Sequence, residues 1–544
     1  MGIPSYFSHF VRQHRRIIQQ INNKNKINNL YLDCNSFIYE GFNSNKTNTD
    51  EAVLIKYVCD KLIYYINLLK PNKNVFIAFD GVAPVAKLNQ QRKRRYLSTF
   101  QSNFINEQIA EREKKNVIKS ENNRQWSTSA ITPGTLFMEK LTIEIKKRFN
   151  NPIEFGLETF IISCSDESGE GEHKIFEYIR NNKSYHKETT TVIYGLDADL
   201  IMLTLNHLHI SNSLYLFRET PEFIKSIDST LNPNELYLLD IPEFGKSIIR
   251  DFTDGVVAFN ISELETKKQN LNKINDYVFM FFLLGNDFLP HFPSLNIRTN
   301  GIELLINAYK LTLNSKRLFL TMEGRIVWKN LRLLISYLSE NELSVIKKEY
   351  STRDKISEKK RYFKQQTYDK EIEYKLINIP SNQREVERYI NPNEDGWECR
   401  YYHILFDLRI DEDRKREICL NYLEGLEWTF KYYNSNCIDW RWTYKYDYPP
   451  LLVDLIKYIP FFETVLINKN ETKPVNPIVQ LSYVLPKNSL YLIPNNIGDK
   501  LLEKKQEWYT NNCEFQWAFC KYFWEAHVKL PEIDIDELEQ LLAL

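Results

Sequence analysis

Short apolar segments that alternate with longer helical patterns most restrict how this chain can fold. Each segment is rich in β-branched and aromatic residues, which is typical of a buried strand. The segments cover residues 30–33, 75–79, 159–163 and 191–194. Strands that alternate with helices in this way form a parallel sheet with helices on both faces. We therefore predict an α/β protein whose sheet is mostly parallel and flanked by helices.

Acidic residues follow most of these strands closely or stand in glycine-containing turns. They are Asp33, Asp80, Glu170, Glu172, Asp197, Asp199 and Asp287. A parallel sheet would gather them at one edge, where their mutual repulsion has to be neutralised by cations. Ligands that are all oxygen suit Mg²⁺ or Mn²⁺, and so many carboxylates suggest two ions. Taken singly, Asp33 or Asp287 would be interpreted as a helix cap or turn residue, whereas the close pairs favour a metal.

A basic segment follows the strand that precedes Asp80. Residues 87–95 contain no Gly or Pro, so they predict a helix. One face of that helix would carry Lys87, Gln91, Arg94 and Arg95. A basic face that suits phosphate, next to a carboxylate that suits a hard metal, indicates a phosphodiester site. Taken alone, the basic run would be read as a solvated face or a nuclear-import patch.

The overall charge excludes a protein that binds polyanions over its whole surface. Lys+Arg and Asp+Glu both number 71, so any contact with nucleic acid must depend on local charge. The eight cysteines form no CxxC pair, which argues against zinc. No signal peptide or membrane-spanning run is evident. We expect a soluble protein without membrane partners, in the cytoplasm, with the nucleus as the alternative.

Composition also divides the chain. We predict a first domain over residues 1–345, a charged linker or solvated helical hairpin over 346–376, and a second, mainly helical region over 377–544 that is rich in aromatic residues.

The motifs as a set resemble the XRN family of 5′→3′ exoribonucleases, which belongs with the flap-endonuclease-like, or PIN-like, nucleases. In the first domain the matching runs are Asp33–Tyr39, Phe79–Arg95, Ile131–Gly134, Gly169–Lys174, Tyr194–Met202 and Gly285–His291. In the second region they are Tyr422–Trp428, Trp440–Pro450, Val484–Pro486 and Trp524–Pro531. They occur in the family's order and extend over essentially the whole chain.

The resemblance implies a role for each candidate residue. Asp33, Asp80, Glu170 and Glu172 would serve mainly a first Mg²⁺, and Asp197, Asp199 and Asp287 a second. Lys87, Gln91, Arg94 and Arg95 would bind a 5′-monophosphate. The first bases would stack between Tyr39, which stands where many members have His, and Trp442 or else Trp440.

The resemblance also implies an activity. We expect residues 1–345 to be a nuclease domain and residues 377–544 to wall its active site. The protein, acting as a monomer, would processively hydrolyse single-stranded RNA with a 5′-monophosphate to nucleoside 5′-monophosphates, in RNA decay after decapping. Three alternatives remain open: a flap- or 5′-exonuclease that acts on DNA, a catalytically weak RNA-binding scaffold, and an adaptor with a chance acidic cluster.

Overall fold

The computed structural model describes residues 6–21, 26–44, 50–112, 126–220, 225, 229–232, 234–253, 268–358, 368–407, 411–470, 472–511 and 513–542. The strands are β1 (Ile18–Gln20), β2 (Asn29–Asp33), β3 (Asn74–Ala78), β4 (Thr159–Ser163), β5 (Thr191–Tyr194), β6 (Leu214–Arg218), β7 (Tyr237–Asp240), β8 (Thr321–Met322), β9 (Arg325–Ile326), β10 (Glu514–Gln516) and β11 (His527–Lys529).

Helices account for most of the remaining described residues. Up to residue 312 they are α1 (Tyr6–Gln13), α2 (Asn35–Ser44), α3 (Glu51–Leu69), α4 (Val85–Arg112), α5 (Leu136–Arg148), α6 (Gly171–Asn181), α7 (Lys183–Lys187), α8 (Asp199–Asn206), α9 (Ile241–Thr253), α10 (Lys268–Phe281) and α11 (Gly301–Thr312). Beyond it they are α12 (Trp328–Glu358), α13 (Tyr368–Ile377), α14 (Ile379–Asn382), α15 (Glu385–Ile390), α16 (Trp397–Phe406), α17 (Glu412–Asn434), α18 (Leu452–Tyr458), α19 (Pro477–Val484), α20 (Ile497–Lys504) and α21 (Ile535–Leu542).

One large sheet organises the first half of the chain. Its strand order is β1-β7-β6-β5-β2-β3-β4. The strands from β6 to β4 in this order are parallel, whereas β7 is antiparallel to both β6 and β1. The prediction of a mostly parallel α/β sheet flanked by helices is therefore confirmed.

Alternate residues of the central strands point into two different cores. Tyr31 and Phe76 lie in a core shared with Phe281, whereas Leu32 and Ile77 lie in a core on the other face of the sheet. Because apolar cores cover both faces of the sheet, polar side chains of these strands are accommodated at the strand ends. β2, β3 and β5 all end at the same edge, and the acidic residues follow them there.

Much of the stretch predicted as a linker or helical hairpin, 346–376, is helical. Residues 346–358 belong to α12 and 368–376 to α13, while 359–367 lie outside the described residues. Ile346 is buried in an apolar cluster. Arg353 is also buried, and it donates hydrogen bonds to both carboxylate oxygens of Glu387 at 3.0 and 2.5 Å. At least one charge of this stretch, that of Arg353, is therefore paired inside the fold.

The second region packs directly onto the turn that follows β3. The Val85 amide donates to the Trp440 carbonyl at 3.0 Å, and the Ala83 amide donates to Gln480 Oε1 at 3.2 Å. Among the helices the structure describes, none combines the length and apolar character needed to cross a bilayer.

Candidate active site

The carboxylates that follow β2 and β3 meet at the start of helix α6. Asp33 is the last residue of β2, and Asp80 stands just beyond β3. The Gly171 amide donates to Asp80 Oδ1 at 2.7 Å, and Asn35 Nδ2 donates to the other Asp80 oxygen at 2.5 Å. A Cβ atom at position 171 would lie 2.7 Å from Asp33 Oδ1, so only glycine fits there.

A buried lysine bridges two further members of the cluster. Lys87 Nζ lies 2.6 Å from Glu170 Oε2 and 2.5 Å from Asp287 Oδ2. Burial lowers the pKa of Lys87, but Asp287 and Glu170 outweigh burial and raise it well above its ordinary value. Gln90 Nε2 donates to Asp287 Oδ1 at 2.6 Å, and the Tyr432 hydroxyl donates to Glu170 Oε1 at 3.0 Å. The basic helix and the second region therefore both touch the acids.

Charges of neighbouring acids also act on the pKa values of Glu172, Asp199 and Asp33. Burial, followed by the charges of Asp199 and Glu170, raises the pKa of Glu172. Burial, followed by the charge of Asp287, raises the pKa of Asp199 to about 7. Burial also raises the pKa of Asp33, to which Asp80, Asp197 and Glu170 add. The structure thus brings all seven predicted acids together.

Three carboxylate oxygens in this cluster are buried without a hydrogen-bond partner. They are Asp33 Oδ1, Glu172 Oε2 and Asp199 Oδ1. When these carboxyl groups are ionised, their buried charge favours a cation, and a donor set made only of oxygen fits Mg²⁺. The described residues nevertheless contain no group of three or more His, Cys, Asp or Glu side chains already arranged to hold a metal. Two of the acids instead share the single positive charge of Lys87. The chemistry of the cluster fits a divalent ion, and its role as a ligand set stays a prediction.

The predicted phosphate-binding residues lie along one stretch of helix α4, beside the acids. Arg95 Nη2 donates to Thr132 Oγ1 at 2.7 Å, and Gln91 Oε1 is buried without a partner. Arg94 is exposed, and its charge helps to lower the pKa of Asp287. Lys87 differs from the other three, because it is embedded among the carboxylates. Lys87 thus lies among the acids, and Gln91, Arg94 and Arg95 form the rest of the predicted phosphate-binding site.

An aromatic stack leads from the second region to the acids. Trp442 stacks on Trp428 at 5.2 Å, Trp428 on Tyr432 at 4.8 Å, and Tyr432 on His173 at 3.7 Å between ring centroids. A Cβ atom at Gly425 would lie 2.9 Å from Trp442, so the glycine makes room for this indole.

The residues predicted to stack on bases, Tyr39, Trp442 and Trp440, lie in different surroundings. Tyr39 is 43% exposed. Trp442 is half-buried in the stack, and Trp440 contacts Val85 through its backbone. The pairing of Tyr39 with Trp442 or Trp440 around a base stays a prediction.

Comparison with known families matches both halves of the chain. The family described as XRN 5′-3′ exonuclease N-terminus matches residues 1–220. The family described as Xrn1 helical domain matches residues 268–392 and 381–543. The chain belongs to the XRN family. The predicted family resemblance is therefore confirmed.

Individual XRN relatives align along the full chain. The 5′-3′ exoribonuclease 2 homolog of Drosophila melanogaster is 26% identical, over 100% of this chain and 71% of its own length. The 5′-3′ exoribonuclease 1 of Schizosaccharomyces pombe is 28% identical, over 100% of this chain but 48% of its own length. The chain therefore spans about half of that relative.

A solved structure, the catalytic core of Rad2 in complex with DNA substrate, covers 69% of this chain and 84% of its own. It aligns at 12% identity with a TM-score of 0.31, which is too low to support a conclusion.

Several residues of the XRN site escape prediction from sequence. Gln90 lies one position from the predicted basic face, and Asn35 lies within the motif that begins at Asp33. Their neighbours in sequence could therefore have indicated that both belong to the site. Lys174 Nζ donates to the carbonyls of Phe79 and Cys164, both at 2.8 Å, and so ties the ends of β3 and β4. Tyr432 lies 262 positions from its partner Glu170, and no sequence pattern connects the two.

Proposed function

We propose that this XRN chain is a 5′→3′ exoribonuclease that degrades single-stranded RNA from a 5′-monophosphate end and releases nucleoside 5′-monophosphates. The observation that carries the proposal is the convergence of seven carboxylates beside a basic helix face. The printed names of the relatives, 5′-3′ exoribonucleases, support it. A DNA flap nuclease would need the same acids, and the substrate comparison below separates the two.

The acids would hold two Mg²⁺ ions, for which Mn²⁺ could substitute. Asp33, Asp80, Glu170 and Glu172 would hold mainly the first, and Asp197, Asp199 and Asp287 the second. Such ions, when bound, supply an activated water and neutralise the leaving oxygen of an in-line displacement. The chain itself orients Asp80 through the Gly171 amide and Asn35, and orients Glu170 through Tyr432.

The basic helix would fix the position of the RNA end. Gln91, Arg94 and Arg95 would bind the terminal phosphate, since guanidinium groups recognise phosphate bidentately. Lys87, which lies among the acids, would place a positive charge between them and the bound phosphate. Tyr39 and Trp442 would stack against the first bases. This stacking would place the next scissile bond beside the acids each time the RNA advances by one nucleotide.

We propose that the second region walls the active site, which would favour exonucleolytic over internal cleavage. Contacts of Val85 with Trp440 and of Ala83 with Gln480 hold that wall against the basic helix. We propose that it admits only a single strand and keeps the strand bound between cleavages. Activity as a cytoplasmic monomer in RNA decay after decapping belongs to the same proposal.

The decisive experiment compares RNAs that differ only in their 5′ group. Hydrolysis of 5′-phosphate, 5′-hydroxyl and 5′-triphosphate RNA is followed with and without Mg²⁺, together with 5′-flap DNA. Asp80→Asn should lower the rate by about 100-fold or more. Arg94→Gln should lower the preference for 5′-phosphate over 5′-hydroxyl by about 10-fold. Arg325→Gln, an exposed arginine on the β8–β9 hairpin, serves as the control. Equal rates on the 5′-phosphate and 5′-hydroxyl RNAs would show that the end is not recognised.

A further inference from the structure

A second group of cations surrounds a pocket that the proposed reaction does not use. Its arginines come from the end of α1, the turn behind it, and helix α9. The pocket is open and has a volume of about 370 Å³. We call it the arginine pocket, and the charged or titratable residues that line it are Arg12, His14, Arg15, Arg16, Arg250 and Asp251.

The backbone that carries these side chains is held firmly. Phe10 and Ile17, on either side of the turn, are completely buried. The His14 amide donates to the Phe10 carbonyl at 2.8 Å, and the Phe10 ring packs against Phe244 of helix α9 at 5.1 Å. A ligand would therefore meet side chains on an ordered backbone, which lowers the entropic cost of binding.

The charges of the pocket are unbalanced. Arg12, Arg15 and Arg16 are exposed, and within the described part of the chain none of them pairs with a carboxylate. Arg250 is oriented by Glu243, to which it donates at 2.9 Å. Four arginines thus line the pocket with one lining carboxylate, that of Asp251, while Arg250 also pairs with Glu243 outside the lining.

Histidine adds no charge to this set at neutral pH. Burial, reinforced by the charges of His9 and Arg250, lowers the pKa of His14 to about 4. Its ring nitrogen lies 3.6 Å from Asp251. The positive charge of the pocket therefore comes from arginines, which stay protonated throughout the physiological range.

The arginine pocket lies at the opposite edge of the sheet from the acids. β1 starts at Ile18, directly after Arg16, and Ile18 pairs with Leu239 of β7. Leu239 in turn pairs with Leu216, in the middle of β6, and β1 runs on toward the level of Arg218. The turn before β1 therefore lies beside the starts of the parallel strands, whereas the acids follow their ends. A phosphate bound at the acids does not reach this pocket.

We propose that the arginine pocket binds a compact polyphosphate, such as a pyrophosphate or triphosphate group, either free or carried by a nucleotide. The four arginines line one cavity of limited size, which favours a compact anion over an RNA backbone. Among its described lining residues there is no Phe, Tyr or Trp on which a base could stack. The volume falls within the range of small-ligand pockets.

Calorimetry with inorganic tripolyphosphate tests this proposal. Binding is measured without divalent ions in an Arg94→Gln background, which weakens the other site that could hold phosphate. We expect one site for tripolyphosphate, comparable binding of ATP, and no binding of adenosine. Arg12→Gln/Arg15→Gln should weaken binding by about 10-fold or more, because each exposed guanidinium supplies charge-assisted hydrogen bonds. Arg325→Gln, outside the pocket, should leave binding unchanged.

Three results would overturn the proposal: no binding in the Arg94→Gln background, equal binding by the Arg12→Gln/Arg15→Gln variant, or equally tight binding of a 5′-hydroxyl RNA hexamer at the same site. The last result would assign the pocket to RNA backbone. Unchanged thermal unfolding without ligand confirms that the variants fold. Because no step reads nuclease activity, failure here is distinguishable from failure of the proposed function.

Discussion

Replacing Lys87 by methionine should destabilise the chain in a way that Mg²⁺ corrects. The substitution leaves Glu170 and Asp287 buried without the ammonium group that lies 2.6 and 2.5 Å from them. Removing one partner of a buried ion pair typically costs about 3–5 kcal/mol, because the remaining charge is uncompensated. A divalent ion at the acids would supply the missing charge, and at 100 times its Kd it would return about 2.7 kcal/mol.

The assay is chemical unfolding of wild type and Lys87→Met, each in EDTA and in Mg²⁺. A matched control comes from the same helix, where Lys93 pairs with Asp447 of the second region. Lys93→Met should also destabilise the chain, but by an amount that Mg²⁺ does not change. If Lys87→Met were as stable as wild type in EDTA, or if Mg²⁺ helped both variants equally, our account of charge balance in the cluster would be wrong.

Three further substitutions test other parts of the structure. Tyr432→Phe removes the hydrogen bond to Glu170 but keeps the ring, so kcat should fall by about 10-fold at a cost of about 1–3 kcal/mol in unfolding free energy. Gly425→Ala places a methyl group 2.9 Å from Trp442, which should cost about 1–3 kcal/mol and weaken binding of short RNAs in a fluorescence titration. Burial raises the pKa of Glu342 from 4.5 to about 8. Between these values the folded chain holds a proton that the unfolded chain has released, so the free energy of unfolding should fall as pH rises. Glu342→Gln should flatten that dependence in urea titrations at pH 5 to 8, and an unchanged slope would show that Glu342 is not protonated.

The part of the site that follows the strands was predictable from sequence, because strand periodicity and sheet geometry together determine where the acids lie. Asp33, Asp80 and Asp197 follow β2, β3 and β5, and parallel pairing brings their ends to one edge. Asp287 is different, since it follows a helix and a short 3₁₀ turn. Its place in the predicted cluster rested on the apolar run and Gly285 that precede it, and the structure shows its contact with Lys87.

Contacts between distant segments could not be predicted. The basic face of α4 was correctly placed on a helix, but periodicity alone did not show that Lys87 turns toward the acids while Arg94 stays exposed. Local composition likewise made residues 346–358 resemble a solvated linker. Arg353 in this stretch is instead buried against Glu387, and no rule of local sequence connects the two residues.

The contact between Tyr432 and Glu170 has a consequence for how the protein is made. Translation produces the acids within the first 287 residues, yet Tyr432, Trp440 and Gln480 emerge from the ribosome much later. A nascent chain from which these three residues have not yet emerged lacks the contacts that orient Glu170 and anchor the basic helix. We expect such an unfinished chain to be inert, and RNA degradation by a fragment that ends before residue 430 would contradict this expectation.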